Sequence, residues 1–177
     1  MVEALRVHDS VWRLSLGGVN AYVVDSPDDG VTVVDAGWTW NAGDVRDGIS
    51  DTGHSVEDVE RVLVTHYDID HVGGLSELGL RRSTTVHVGR EDAGFLTGEE
   101  KPRVTNHKGA LQRVVSLGIR RPDLNVEKVD DCDSVGGEFT AYHTPGHTPG
   151  HTVYVSESLG VAFLGDLVSE DGGEFKL

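Results

Sequence analysis

The order of apolar runs in this chain predicts a mixed α/β (α+β) domain made of two sheets, or of one curved sheet, covered by helices. Three observations carry the prediction. Strand-like runs interleave with helical segments, and strands dominate both ends of the chain. Polar segments rich in histidine, aspartate and glycine follow directly on four of the strand-like runs. No repeat, low-complexity tract or linker divides residues 1–177, a length that suffices for one domain with a sizeable core.

The elements follow in order. Residues 11–16 alternate apolar and polar, 20–24 form a short apolar run, Asp28, Asp29 and Gly30 signal a turn, and 31–34 are apolar again. Together they read as a β-meander. Residues 41–49 read as a helix, with Gly53 closing the region, and 61–65 as a buried strand. A short helix is expected over 72–78, a strand over 84–88 and a helix over 90–96. Residues 97–106 read as a loop. Residues 108–117 carry apolar positions at helical spacing, and Pro122 stops that element. Strands return at 138–143, 152–155 and 161–164.

Composition narrows the function classes. Thirty acidic residues face fifteen basic ones, a formal net charge of −15. Such a chain repels nucleic acid phosphates and anionic lipid heads, so neither nucleic acid nor membrane is expected as a partner. No apolar stretch reaches the roughly 20 residues that span a bilayer. Residues 1–12 show no basic segment followed by an apolar one, so the expected setting is cytoplasmic. The single cysteine, Cys132, excludes an internal disulfide and a multi-cysteine zinc site, and reads as a partly buried loop residue. The acid is dispersed along the chain, which suits either a halophilic cytoplasm or an acidic mesophilic protein.

Residues 65–74 concentrate ionisable chemistry: His66, Asp68, Asp70 and His71 lie within six positions and lead to the pair Gly73 and Gly74. Read alone, the stretch is either a solvated turn after a strand or a set of metal ligands at a strand end. Three further segments repeat the arrangement, at 33–37 with Asp35, at 142–147 with His143 and His147, and at 163–166 with Asp166. Strand ends are where a rigid scaffold presents functional loops. Histidine with aspartate is the mixed N/O donor set of zinc, iron or manganese. Four such segments in one short chain favour the ligand reading.

Residues 20–23, 35–37, 65–74, 144–151 and 165–166, in that order, resemble the motifs of the metallo-β-lactamase superfamily, over a span from about residue 11 to the end of the chain. The resemblance implies an αββα sandwich with a metal site at one edge between the sheets. It also implies a hydrolase that uses a hydroxide held by one or two metal ions, acting on a small-molecule ester, thioester or lactam. Glyoxalase II-like thioesters and lactones are the broad suggestion. Carried over by motif, His66 and His147 serve a first ion and Asp70 and His71 a second. Asp166 bridges the two, Asp70 or Asp166 orients the nucleophile, and Asp35 orients the ligand loop through hydrogen bonds. His151 reads as a supporting residue, His143 as a strand-end residue, and His8, His54, His87 and His107 as surface or loop residues.

Two departures from the family pattern alter the expectation. Asp68 stands where the motif has histidine. It either binds the first ion, which favours harder Mn²⁺ or Fe²⁺ beside Zn²⁺, or faces solvent. Only eleven residues follow Asp166 and none is histidine, so the chain reads as a C-terminally truncated member. A truncated sandwich exposes a sheet edge or apolar face and invites a homodimer. The alternatives to a hydrolase are a mononuclear iron sulfur dioxygenase, held by His66, His147 and Asp166, and a non-catalytic remnant. Lys101, Arg103, Lys108, Arg113, Arg120 and Arg121 gather in an otherwise acidic chain. They read as a solvated face or as an attraction for an anionic substrate. If the charge reflects a salt-rich cytoplasm, the melting temperature should rise as salt is taken above the physiological range. The Debye length there is already about 8 Å, and a flat profile would identify a merely acidic protein.

Overall fold

The computed structural model describes residues 2–27, 29–100, 125–171 and 174–176. It contains two main sheets, which decides between the two arrangements left open by the sequence. The first has seven strands in sequential order: β1 (Ala4–His8), β2 (Val11–Ser15), β3 (Asn20–Ser26), β4 (Gly30–Val34), β5 (Val59–Val64), β6 (Thr85–Gly89) and β7 (Asn125–Val129). Strands β1 to β4 form an antiparallel meander, and β4 to β7 run parallel. The second sheet is antiparallel, in the order β11 (Val161–Phe163), β10 (Thr152–Ser156), β9 (Phe139–His143) and β8 (Ser134–Val135). A separate hairpin pairs β12 (Ser169–Asp171) with β13 (Glu174–Lys176).

Val23 and Val24 of β3, Val33 and Val34 of β4 and Val62 to Val64 of β5 are consecutive buried apolar residues because both faces of the first sheet are covered there. Successive side chains point to opposite faces, so Val62 and Val64 join one core while Leu63 joins the other. The first core lies between this sheet and the helices α1 (Ala42–Asp51) and α3 (Arg90–Thr97), with Leu14, Val23, Val33, Val45, Ile49, Ala93 and Leu96. The second core lies between the sheets, where Val24, Val34 and Leu63 meet Phe139, Ala141, Tyr154 and Phe163. Among the described residues the layers therefore run helix, sheet, sheet.

Several elements differ from the sequence expectation. Strands β1 and β7 sit at the two edges of the first sheet. Leu5 and Val7 of β1 are exposed and β7 is half polar, so neither shows the buried pattern that marks a strand in sequence. The two-residue β8 is too short to leave a periodic signal. The single helix expected at 72–78 is instead the short α2 (Ile69–Val72) and a 3-10 turn at Leu75–Glu77. Gly73 and Gly74 lie against the backbone of the 36–39 segment, and a β-carbon on Gly73 would sit 2.8 Å from Thr39 N. His87 is buried on β6 rather than at the surface, and Cys132 is exposed rather than partly buried. The helix expected at 108–117, the greater part of the 97–106 loop, Asp28, His107, Pro122 and the basic cluster at 101–121 lie outside the described residues.

Tyr154 links the sheets directly. From β10, fully buried, its hydroxyl donates to the carbonyl oxygens of Val64 (3.2 Å) and His87 (3.3 Å) on β5 and β6. Tyr154→Phe keeps the ring in the second core and removes only these bonds. It should cost about 1 kcal/mol, measured as a lower denaturant midpoint at unchanged slope.

Candidate metal centre

The four polar segments meet at one end of the sandwich. His66 and Asp68 follow β5, His71 lies on α2, His147 sits in the turn between β9 and β10, and Asp166 follows β11. Asp35 follows β4 and lies beneath them with a φ of 57°, a left-handed conformation that aspartate tolerates better than bulkier residues. Its carboxylate accepts from Thr65 N (2.9 Å), Thr65 Oγ1 (2.7 Å) and His71 Nδ1 (2.8 Å). The two ligand segments are also joined through backbone, Thr152 N donating to Thr65 O at 2.8 Å and Ala36 N to His71 O at 2.7 Å.

Two overlapping groups of donor atoms result. His66, Asp68 and His147 form one, and His66, His71 and Asp166 the other. In the first, Asp68 Oδ2 lies 3.0 Å from His147 Nε2 and 3.7 Å from His66 Nε2. In the second, Asp166 Oδ1 lies 3.2 Å from His71 Nε2, and Asp166 Oδ2 lies 4.0 Å from His66 Nε2 and 3.4 Å from His147 Nε2. The Asp166 carboxylate thus turns one oxygen to each side. Tetrahedral zinc with bonds of about 2.0–2.1 Å has ligand edges of about 3.3 Å, and these separations bracket that value. The buried Nε2 of His66 makes no hydrogen bond within the protein, and the buried Nε2 of His71 has only the Asp166 carboxylate beside it, at 3.2 Å. Buried polar atoms are nearly always satisfied, and a cation shared with the neighbouring carboxylates satisfies these. By donor chemistry and spacing, the residues fit a divalent ion.

Asp70 is in neither of these two groups among the described residues. His143 points away from the cluster, its Nε2 lying 2.8 Å from Pro149 O. His151 is fully buried, with its ring 5.3 Å from that of His66 and its Nδ1 2.8 Å from Thr144 Oγ1. Gly165 packs on it: with φ 54°, a β-carbon there would sit 2.7 Å from His151 Nε2 and 2.8 Å from Thr65 Cβ. Only glycine allows the Asp166 turn to close this tightly. Asp92 escaped the sequence reading altogether. It lies in the first turn of α3, where an acid is ordinary, yet it is fully buried and reaches both ligand loops.

The charges are strongly biased. Burial, helped by the charge of His71, lowers His66 to about 4, so its imidazole is neutral at pH 7. Burial also acts to lower His71, but the charges and hydrogen bonds of Asp35 and Asp166 outweigh it and raise the pKa to about 10. The hydrogen bond and charge of His71 hold Asp166 far below the usual carboxylate range.

The sequence profile of the metallo-beta-lactamase superfamily matches residues 14–175. The chain belongs to that superfamily. Similar solved structures include BJP-1, a subclass B3 metallo-beta-lactamase of Bradyrhizobium japonicum, at 24% identity and TM-score 0.68, over 96% of this chain and 58% of that one. MEM-A1, a subclass B3 enzyme isolated from a soil metagenome library, is 24% identical with TM-score 0.69, over 98% of this chain and 60% of that one. The MIM-2 metallo-beta-lactamase is 30% identical with TM-score 0.65, over 84% and 54% respectively. The chain therefore spans a little over half the length of these structures.

The charge pattern has a measurable consequence. Below about pH 10 the ion-free protein holds His71 as imidazolium, so an ion taken up by His66, His71 and Asp166 must displace its Nε2 proton. Zinc titrated into weakly buffered protein at pH 7 should release about one proton per ion in that group, and affinity there should rise about tenfold per pH unit up to about pH 10. Uptake with no proton release would show that His71 is not a ligand.

Proposed function

We propose that this chain is a metal-dependent hydrolase of a small-molecule substrate carrying an ester, thioester or lactam-type bond. The observation that carries the reading is the convergence of His66, Asp68, His147, His71 and Asp166 around the buried Nε2 of His66, which no protein group satisfies. His66, Asp68 and His147 would hold one ion, and His66, His71 and Asp166 form an overlapping set. Both need the single Nε2 of His66, so full occupancy of one set weakens the other. Zinc suits the imidazoles, and the carboxylates of Asp68 and Asp166 also suit Fe²⁺ or Mn²⁺. When bound, such an ion supplies Lewis acidity, which polarises a carbonyl oxygen and brings the pKa of a coordinated water toward about 7.

The chain's own residues then do the positioning. The Nδ1 of His71 donates to Asp35, which fixes the tautomer that leaves Nε2 facing the centre. Asp166 stays ionised and is therefore a poor base. Its role is to accept a hydrogen bond from the attacking water and hold it in line with the acyl carbon. Water adds across the bond, and the products are a carboxylic acid and an alcohol, thiol or amine. The net charge of −15 disfavours polyanionic partners, so nucleic acid and anionic membrane stay outside the proposal. No helix among the described residues is long and apolar enough to cross a membrane, and a salt-rich cytoplasm remains the proposed setting.

Metal analysis of purified protein, paired with His66→Ala, tests the reading. The wild type should retain a divalent ion through gel filtration and cleave at least one member of an ester, thioester and lactam panel. His66→Ala removes the donor common to both groups, so bound metal should fall to background and activity by more than about a hundredfold. Retention of both metal and activity by the variant would exclude this centre.

A further inference from the structure

Asp92 occupies a place that nothing in the proposed chemistry requires. It projects from the first turn of α3, is 0% exposed, and pays for its burial with hydrogen bonds drawn from two other segments. Its Oδ2 accepts from Tyr67 N (3.2 Å) and Thr148 Oγ1 (2.6 Å), and its Oδ1 accepts from Gly150 N (2.7 Å). Tyr67 lies between His66 and Asp68, and Thr148 directly follows His147. One carboxylate oxygen therefore spans the immediate neighbours of all three donors in the first group.

The surroundings are shaped to this contact. A β-carbon on Gly150 would sit 2.5 Å from Asp92 N and 2.7 Å from Asp92 Cγ, so the ligand turn can approach α3 only as glycine. Phe95, one helical turn further along α3, stacks on Tyr67 with ring centroids 4.4 Å apart. The loop after β5 and the turn before β10 belong to different sheets. Beside the backbone bond from Thr152 to Thr65 and the contact of Asp68 with His147, α3 ties them at the level of the donors. His71 of the other group is held from Asp35 instead.

We propose that Asp92 is a positioning residue of the metal centre, holding the loop of His66 and Asp68 and the turn of His147 at the separation a shared ion needs. The inference rests on the centre proposed above. Asp92 touches neither ion nor substrate and acts only through Tyr67, Thr148 and Gly150. An acceptor on both oxygens is essential, because all three partners approach with donors. Asp92→Asn keeps the volume but replaces one acceptor with an NH₂, so at least one of the three bonds is lost.

The test is cobalt binding by the full chain, read from the visible ligand-field spectrum and from competition with a chelator, alongside the melting temperature of the metal-free protein. Asp92→Asn should weaken cobalt binding by about 10–100-fold and alter the ligand-field bands. Thr148→Val, which removes one partner without changing shape, should shift both in the same direction by less. A merely structural role predicts lower melting temperatures with unchanged cobalt affinity and spectrum in the folded protein, and that result in Asp92→Asn overturns the proposal. If Asp92→Asn does not fold, wild-type affinity and spectrum in Thr148→Val overturn it. Wild-type protein that binds no cobalt removes the metal centre itself and this inference with it, and the wild-type trace distinguishes that failure from the others.

Discussion

A buried imidazole nitrogen without a hydrogen-bond partner in the protein, Nε2 of His66, imposes the constraint on which the site depends. Desolvating such an atom costs more than a typical hydrogen bond returns, so it persists only where something satisfies it. His66 and His71 are both buried, their rings 4.1 Å apart, and the charge of one disfavours charging the other. The carboxylates of Asp68 and Asp166 lie within about ion-sharing distance of these nitrogens. A divalent cation in either donor group would satisfy the imidazoles there and offset the charge of the acid beside them.

Holding donors from separate segments in one place requires a frame, and the frame is made of two buried acids. Asp35 takes three hydrogen bonds from Thr65 and His71, and Asp92 takes three from Tyr67, Thr148 and Gly150. Burial pushes the Asp92 carboxyl up, and its hydrogen bonds oppose that shift. Each acid bonds partners on elements other than its own, so each converts a local desolvation cost into a long-range restraint. The left-handed backbone at Asp35 and the glycines at 150 and 165 are the local distortions that make these close approaches sterically possible.

The sheets explain why the donors share one end of the molecule. Strands β4 and β5 are parallel neighbours, so the segments that follow them emerge at the same edge. The second sheet packs with the β9–β10 turn and the end of β11 against that edge, joined through Tyr154 and through Thr152 to Thr65. The separation of His147 from His66 in sequence is therefore bridged by sheet packing rather than by local chain geometry.

By itself the sequence marked the strands with buried apolar runs, the glycine turns and the candidate donors His66, Asp68, Asp70, His71, His147 and Asp166. Those features are written in neighbouring residues, and local sterics and periodicity read them directly. It did not show that His87 and His151 are buried, that glycines at 73 and 74 split a short helix, or that β1 and β7 complete the sheet edges. Nor did it separate Asp92 from the other acids of a helix start. Each of these depends on what a side chain meets across the fold. Only the tertiary structure decides that, because burial and hydrogen-bond partners are set by elements distant along the chain.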